Sequence, residues 1–288
     1  MRRWLGRICW LASGPDADPS VAFDWVSGRV GSRQNPDGMR SVLHTGVALA
    51  AACALVDLLL LARHDWVQWA LYAFLHLAWV GAILLLTVLN VGFLESPDGK
   101  PLHSIGGPNA LTLARGFLVP VLIYLILCHD YRAAALGYAA ISSSDAIDGW
   151  WARRYDARSK LGIVLDPAID LLLHLAVFIA LVAAGLLGRL ALALILLRSG
   201  LLAAGTGGLH WWKGRVRIQP TPLGKCTGLL LSLATLALLV LAGYAPERVG
   251  ALEALRLVVS VLLTLSVLHV LAIGAINLSR PTDRRAPR

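Results

Sequence analysis

The chain has 288 residues, of which 57% are hydrophobic and 15% are charged, with a formal net charge of +9 at pH 7. This composition and a mean hydropathy of +0.69 exclude an ordinary soluble domain and indicate an integral membrane protein. The four cysteines lack CxxC spacing, so neither a cysteine metal site nor a disulfide framework is expected.

Apolar windows of about 20 residues, the length that crosses ~30 Å of hydrocarbon, recur along the chain. The eight windows cover residues 42–62, 66–90, 110–128, 132–152, 161–187, 190–210, 224–244 and 252–276. The sequence therefore predicts an all-α, polytopic membrane protein. Residues 1–40 are predicted to form a cytoplasmic or juxtamembrane extension, and residues 41–90 a transmembrane hairpin for which the sequence suggests no role.

A segment rich in glycine and proline, VGFLESPDGKPLHSIGGPN, separates this hairpin from the later windows. We interpret residues 91–108 as a linker, residues 109–278 as a six-span domain and residues 279–288 as a basic tail. In the stretch PNALTLAR, Asn109 is a candidate N-cap for a helix that begins near Ala110.

The distribution of Lys and Arg predicts the orientation in the membrane. With the N-terminus inside, the inner segments hold most of the 26 basic residues, including those of the loop RRYDARSK. We therefore expect both termini to be cytoplasmic. The positive charge then reflects topology and attraction to anionic lipid, so no nucleic-acid partner is expected.

The stretch SSSDAIDGWWARRYDARSKLGIVLDPAID places Asp145, Asp148, Asp166 and Asp170 between apolar segments. A carboxylate at a bilayer centre costs ~2.5–3.5 kcal/mol, so the group needs a compensating cation. Each pair has helical spacing and projects from one helix face. Because the basic loop between the pairs makes the two helices an antiparallel hairpin, we expect all these carboxylates to converge just below the cytoplasmic face.

Oxygen ligands of this kind suit Mg²⁺ or Mn²⁺, and two divalent ions would neutralise the carboxylates. A pair of such ions is a recurrent clamp for phosphoryl transfer. Small residues on the same helix faces leave room for a ligand: Gly149, Ala152 and Gly162. Arg153, at the mouth of the predicted site, can bind a phosphate.

Read as D-x-x-D-G-x-x-A-R-x8-G-x-x-x-D-x-x-x-D, these residues resemble the complete signature of the CDP-alcohol phosphotransferase family. The resemblance covers residues 108 to 278. It implies a transferase of phospholipid biosynthesis, in which a hydroxyl attacks the β-phosphorus of a CDP-linked donor and CMP leaves. It also implies a six-helix core, two Mg²⁺ or Mn²⁺ ions and a homodimer. The two N-terminal helices predicted by hydropathy lie outside the resemblance and are extra to this core.

By this resemblance, Asp145, Asp148 and Asp166 are metal ligands. Asp170 also binds metal and acts as the catalytic general base on the acceptor hydroxyl. The donor-binding residues that the resemblance implies are Asp148, Gly149, Ala152, Arg153, Gly162, Asn109 and Thr112.

The stretches PNALTLAR and LDPAID resemble phosphatidylglycerophosphate synthases and bacterial cardiolipin synthases, which favours CDP-diacylglycerol as donor. PLGKCT resembles their GKxxT-type element, which would place Lys225 near an anionic acceptor. Arg198 lies where the family often has an arginine that contacts the acceptor phosphate. From the residues alone, Arg198 equally fits a snorkelling or paired arginine, and Lys225 an inner-face anchor. The glycerol-phosphate branch has lysine after the final aspartate, where this chain has Leu171.

The best hypothesis for the small polar acceptor is glycerol 3-phosphate, with inositol phosphate and phosphatidylglycerol open. Within the family, the alternative is a head-group transferase of the CDP-choline or CDP-ethanolamine type. An ion-coupled transporter is less favoured, because the acids are confined to one hairpin near one face. We expect the protein in a bacterial plasma membrane with a cytoplasmic active site. Asp57 is expected to pair with a neighbouring helix or to snorkel, and His76 and His174 to have structural, hydrogen-bonded roles.

Overall fold

The structure is a computed structural model that describes residues 35–61, 66–155, 157, 159–213 and 222–279. Within these ranges, some helical side chains lie outside the description, among them those of Ala152, Arg153 and Lys225. Most of the predicted N-terminal extension and the basic tail also lie outside the described residues.

The described part of the chain folds into long helices joined by short connections. They are α1 (Pro36–Leu61), α2 (Trp66–Leu89), α3 (Gly106–Leu127), α4 (Tyr131–Arg154), α5 (Lys160–Ala183), α6 (Arg189–Lys213), α7 (Pro222–Tyr244) and α8 (Val249–Ser279). Each helix coincides with one apolar window, which confirms the predicted all-α polytopic fold. Of the described helices, six are long and apolar enough to cross a membrane. The other two are α4, which carries Asp145 and Asp148, and α6, which carries Arg198.

Helix α3 begins earlier than the sequence predicted. Its first residue is Gly106 and its N-cap position is held by Ile105, so the prediction that Asn109 caps a helix starting near Ala110 is wrong. Pro108 is compatible with the first turn, where a backbone N–H has no helical acceptor to lose. Asn109 is instead buried, and its amide donates to the carbonyl of Ile105 at 2.7 Å.

The connection between α2 and α3 ties the N-terminal hairpin, α1–α2, to the rest of the molecule. The Asn35 amide donates to the Leu102 carbonyl at 2.9 Å, and the Ile105 N–H donates to the Ser41 hydroxyl at 3.1 Å. One apolar cluster joins the hairpin, the connection, α3 and α5, and its buried members include Val42, Val80, Ile83, Phe93, Leu94, Leu113, Phe117, Leu161 and Ile169. The hairpin therefore packs on the helices that bear the signature.

Helix α3 lies at the centre of the described helices. It packs against α1, α2, α4 and α5, while α8 packs against α6 and α7. In α3, 61% of the apolar window is buried inside the protein, against 22% to 33% in the other five apolar helices. A polar residue on α3 is thus shielded from lipid and faces protein.

Candidate active site

Two helices carry the four aspartates of the signature. Asp145 and Asp148 lie in the last turns of α4, and Asp166 and Asp170 in the first half of α5. The start of α5 is defined by Ser159, whose extended backbone precedes the helix and whose hydroxyl accepts the N–H of Gly162 at 2.9 Å. Carboxylates from both helices bond to one arginine of α3, so the two pairs lie close together.

Arg115 of α3 joins the carboxylates of the two helices. Its Nη1 donates to Asp145 at 2.5 Å and to Asp170 at 2.7 Å, and its Nη2 donates to Asp148 at 2.6 Å. The arginine side chain is 1% exposed, whereas those of Asp145 and Asp170 are 54% and 37% exposed. Three carboxylates thus share one buried guanidinium, and two of them, those of Asp145 and Asp170, remain reachable from outside.

Thr112 contacts the remaining aspartate. Thr112 lies one turn before Arg115. Its hydroxyl donates to the Asp166 carboxylate and lies 3.5 Å from Oδ2 of Asp148. Asn109, Thr112 and Arg115 follow one another at three-residue intervals and share one face of α3. This polar face of an otherwise apolar helix is directed at α4 and α5.

Asn109 closes the site between α3 and the start of α5. Its amide donates to the Ser159 hydroxyl at 2.8 Å, and its carbonyl oxygen accepts from that hydroxyl at 3.1 Å. A Cβ atom at Gly162 would lie 2.5 Å from this oxygen. A larger residue at this position would therefore displace the Asn109 side chain from its bonds with Ser159.

Replacing Gly162 with alanine is expected to lower the midpoint of thermal unfolding by several degrees, because overpacking a tight contact costs about 1–3 kcal/mol. The matched control is Gly274→Ala in α8, where a Cβ would meet nothing within 4 Å. That variant should unfold at the wild-type temperature or slightly above it. Equal midpoints for the two variants would contradict the close approach described here.

The other predicted site residues lie in different surroundings. Gly149 is partly buried beside Asp148, and the side chains of Ala152, Arg153 and Lys225 are outside the described part. Arg198 of α6 donates from Nε to the Ser266 hydroxyl of α8 at 2.8 Å. The Nδ1 of His174 donates to the Asp170 carbonyl at 2.8 Å, which confirms a structural hydrogen bond for this histidine.

Arg115 is the site residue that the sequence reasoning missed. The sequence placed it inside an apolar span and assigned it no partner. Two features of the sequence could have identified it. It has helical spacing from Asn109 and Thr112, and the four aspartates require a compensating positive charge. A buried arginine in a span is itself a reason to look for acidic partners.

The donor chemistry of the site fits a divalent cation of the hard, oxygen-preferring kind. The available groups are carboxylates and the Thr112 hydroxyl, which are the ligands that Mg²⁺ and Mn²⁺ prefer. Among the described residues, no group of three acidic, histidine or cysteine side chains is arranged as a metal shell. Asp145, Asp148 and Asp170 converge on the Arg115 guanidinium instead.

Comparison with known proteins identifies the same region. The family model described as CDP-alcohol phosphatidyltransferase matches residues 106–272. A protein of Mycobacterium tuberculosis named "Putative cardiolipin synthase" is 32% identical over 136 residues, which are 46% of this chain and 64% of that protein. The "Cardiolipin synthase (CMP-forming)" of Homo sapiens is 34% identical over 116 residues, which are 40% of this chain and 37% of the human protein.

A third relative carries a different name. The "CDP-diacylglycerol--glycerol-3-phosphate 3-phosphatidyltransferase" of Aquifex aeolicus is 28% identical over 163 residues, which are 55% of this chain and 89% of that protein. No solved structure gives a significant match. The match to the family model spans more than half of the chain and includes α3 with Arg115, α4 and α5 with the four aspartates. The chain therefore belongs to the CDP-alcohol phosphatidyltransferase family.

Proposed function

We propose that this protein transfers a phosphatidyl group from CDP-diacylglycerol to a hydroxyl acceptor and releases CMP, in a reaction that requires Mg²⁺ or Mn²⁺. The observation that carries the proposal is the convergence of Asp145, Asp148 and Asp170, from two helices, on one buried point of a membrane domain. Family membership and the complete signature support the same chemistry.

In this reaction Asp170 is the general base. Its carboxylate accepts the proton of the acceptor hydroxyl, the hydroxyl oxygen forms a bond to the β-phosphorus, and the bond from that phosphorus to CMP breaks. A partly exposed carboxylate suits this role, because the acceptor must reach within hydrogen-bond distance of it. Asp170 also has a fixed position, since its backbone carbonyl holds His174 and a carboxylate oxygen accepts from Arg115.

Two divalent cations, when bound, would be held by Asp145, Asp148, Asp166 and Asp170 and would supply neutralising charge for the diphosphate. The donor-binding roles proposed for the chain itself rest on its small and polar residues. Gly149 leaves space for the nucleotide beside the backbone of α4. Gly162 admits the Asn109 side chain beside the backbone of α5, and Asn109 and Thr112 border the nucleotide space from α3. Ala152 and Arg153 complete the donor site in this proposal.

For the acceptor we propose glycerol 3-phosphate, with Arg198 and Lys225 as the residues that bind its phosphate. Phosphatidylglycerol is the second candidate. It is favoured by the relatives named cardiolipin synthase and by Leu171, which stands where the glycerol-phosphate branch has a lysine. The distribution of Lys and Arg supports an active site at the cytoplasmic face of the membrane. We propose that this membrane is a bacterial plasma membrane, and we propose a homodimer on the family resemblance.

The test is an assay of CMP release by purified protein in lipid nanodiscs that contain CDP-diacylglycerol and Mn²⁺ or Mg²⁺. Glycerol 3-phosphate, phosphatidylglycerol and inositol phosphate are supplied separately, and the lipid product is identified by mass spectrometry. We expect one acceptor to give CMP and phosphatidyl product in equal amounts. Product formation only from CDP-choline or CDP-ethanolamine with diacylglycerol would instead establish a head-group transferase, and no CMP from any pair would refute the proposal.

Chelation should abolish this activity. Treatment with EDTA removes the cations that the aspartates are proposed to bind, so CMP release is expected to fall to background. Addition of Mn²⁺ or Mg²⁺ in excess of the chelator should restore it, whereas Ca²⁺ prefers longer, more flexible coordination and should restore it poorly. A rate that is indifferent to EDTA would contradict the metal requirement.

A further inference from the structure

The N-terminal hairpin lies outside the segment that matches the family model, yet it contacts α3 directly beside Arg115. Trp79 of α2 donates from Nε1 to the Gly116 carbonyl at 2.9 Å. His76, one turn earlier on α2, places Nε2 at 2.8 Å from the Phe117 carbonyl. These two carbonyls belong to the residues that immediately follow the arginine.

Pro120 explains why α3 needs a donor from another helix at this point. Proline has no backbone N–H, so the Gly116 carbonyl, four residues earlier, has no donor within the helix. A buried carbonyl left without a partner costs about 1–3 kcal/mol. The Trp79 indole supplies the missing bond and holds the chain on the arginine side of the proline.

His76 is held in one orientation by buried polar groups. Its Nε2 must carry a proton, because the Phe117 carbonyl can only accept a hydrogen bond. Its Nδ1 faces the Asp57 carboxylate oxygens at 2.9 and 3.0 Å, and the Tyr72 hydroxyl donates to Asp57 at 2.7 Å. The expectations that Asp57 pairs with a neighbouring helix and that His76 has a hydrogen-bonded structural role are confirmed.

Gly116 also marks the closest packing of α3 between its neighbours. A Cβ at this glycine would lie 2.7 Å from Cδ1 of Ile169 on α5 and 3.5 Å from Cδ1 of Ile83 on α2. Ile169 directly precedes Asp170. A shift of α3 relative to α2 would therefore change the distance between Arg115 and the aspartates of α5.

We propose that the N-terminal hairpin is a positioning element of the active site. Through Trp79 and His76 it fixes the segment of α3 before Pro120, and it thereby sets the position of Arg115 and Thr112 against the four aspartates. The expected effect on catalysis rests on the proposed function, whereas the expected effect on the position of α3 does not.

The test uses Trp79→Phe, which removes the indole N–H and keeps an aromatic ring. Misplacing a catalytic group by a fraction of an ångström to 1 Å can cost up to ~10²-fold in rate, and we expect kcat for CMP release to fall about tenfold with little change in the KM for CDP-diacylglycerol. Hydrogen–deuterium exchange of residues 112–121 should become faster. The matched control is Trp66→Phe, which changes an exposed tryptophan at the start of α2 and should leave both measurements near wild type.

A second substitution distinguishes positioning from a general loss of packing. Combining Trp79→Phe with Pro120→Ala supplies a backbone N–H to the Gly116 carbonyl, so slow exchange of residues 112–121 and most of the lost kcat should return. No recovery, or equal behaviour of the Trp79 and Trp66 variants, would overturn the proposal. If the wild-type protein releases no CMP, the proposed function fails, while the exchange measurements still decide whether the hairpin positions α3.

Discussion

Replacing Asp170 with asparagine is expected to lower kcat for CMP release by about 10²–10⁴-fold, the contribution typical of a general base. Asparagine has nearly the same shape but cannot take the proton of the acceptor hydroxyl. Arg115 keeps two other acidic partners in this variant, Asp145 and Asp148, so the fold should persist. The measurement is CMP release at saturating donor, acceptor and Mn²⁺, with thermal unfolding recorded on the same sample.

The matched control for loss of a carboxylate is Glu253→Gln. Glu253 pairs with Arg256 one turn away on α8, and its side chain is 61% exposed. Exposed pairs of this kind contribute about 0.2–1 kcal/mol or less to stability, so this variant should turn over at the wild-type rate. Full activity in the Asp170→Asn protein would refute the assignment of the base.

Replacing Arg115 with glutamine is expected to destabilise the cation-free protein strongly and to make its stability depend on divalent ions. Removing one partner from a buried ionic cluster costs about 3–5 kcal/mol, because the remaining charges lose their counter-ion. Divalent cations are proposed to bind the same carboxylates, so Mn²⁺ should raise the unfolding midpoint of this variant more than that of the wild type. The measurement is thermal unfolding in EDTA and in a series of Mn²⁺ concentrations.

Two further variants make this result specific. Arg115→Lys keeps the charge but not the planar fork that reaches three carboxylates, so it should fall between wild type and Arg115→Gln in EDTA. Arg256→Gln removes an arginine that bonds to Glu253 and the Leu186 carbonyl, away from the aspartates. Its loss of stability should not respond to Mn²⁺. An equal response to Mn²⁺ in the Arg115 and Arg256 variants would contradict a cation site at the aspartates.

Arg115 is expected to compete with divalent cations for the aspartates. Asp145, Asp148 and Asp170 each bond to Arg115, so the proposed divalent cations would share these carboxylates with the guanidinium. The apparent affinity of the site for a divalent cation should therefore include the cost of displacing the Arg115 guanidinium from these carboxylates. The same substitution series measures this competition, because Arg115→Gln removes the internal competitor.

Much of the fold could be predicted from the sequence. Each apolar window corresponds to one helix, and most helix ends lie within four residues of the window ends. The largest difference is at the start of α1, where the window begins at residue 42 and the helix at Pro36. Hydropathy is a local property of the chain, so it is readable without knowledge of neighbouring helices. The start of α3 was missed because Asn109 has the chemistry of an N-cap, while its actual partner, Ser159, lies fifty residues later.

The candidate site could be predicted in part. The spacing of the aspartates determined that each pair shares a helix face, and the signature determined the family that the comparisons then showed. The arginine that pairs with these acids could not be predicted, because it lies on a third helix. Arg115 is 30 residues from Asp145 and 55 from Asp170 in the chain, and only packing of α3 against α4 and α5 brings them into contact.

The sequence by itself determined that this chain crosses a membrane as helices, that its acids are paired by helical periodicity and that they carry the signature of a family. Only the tertiary structure decided which residues lie around those acids. It placed a buried arginine among them and set Trp79 and His76 against the carbonyls beside Pro120. The physical reason is that periodicity and hydropathy are properties of one helix. Ion pairs, and the hydrogen bond that replaces the N–H missing at Pro120, form between helices that are distant in the chain.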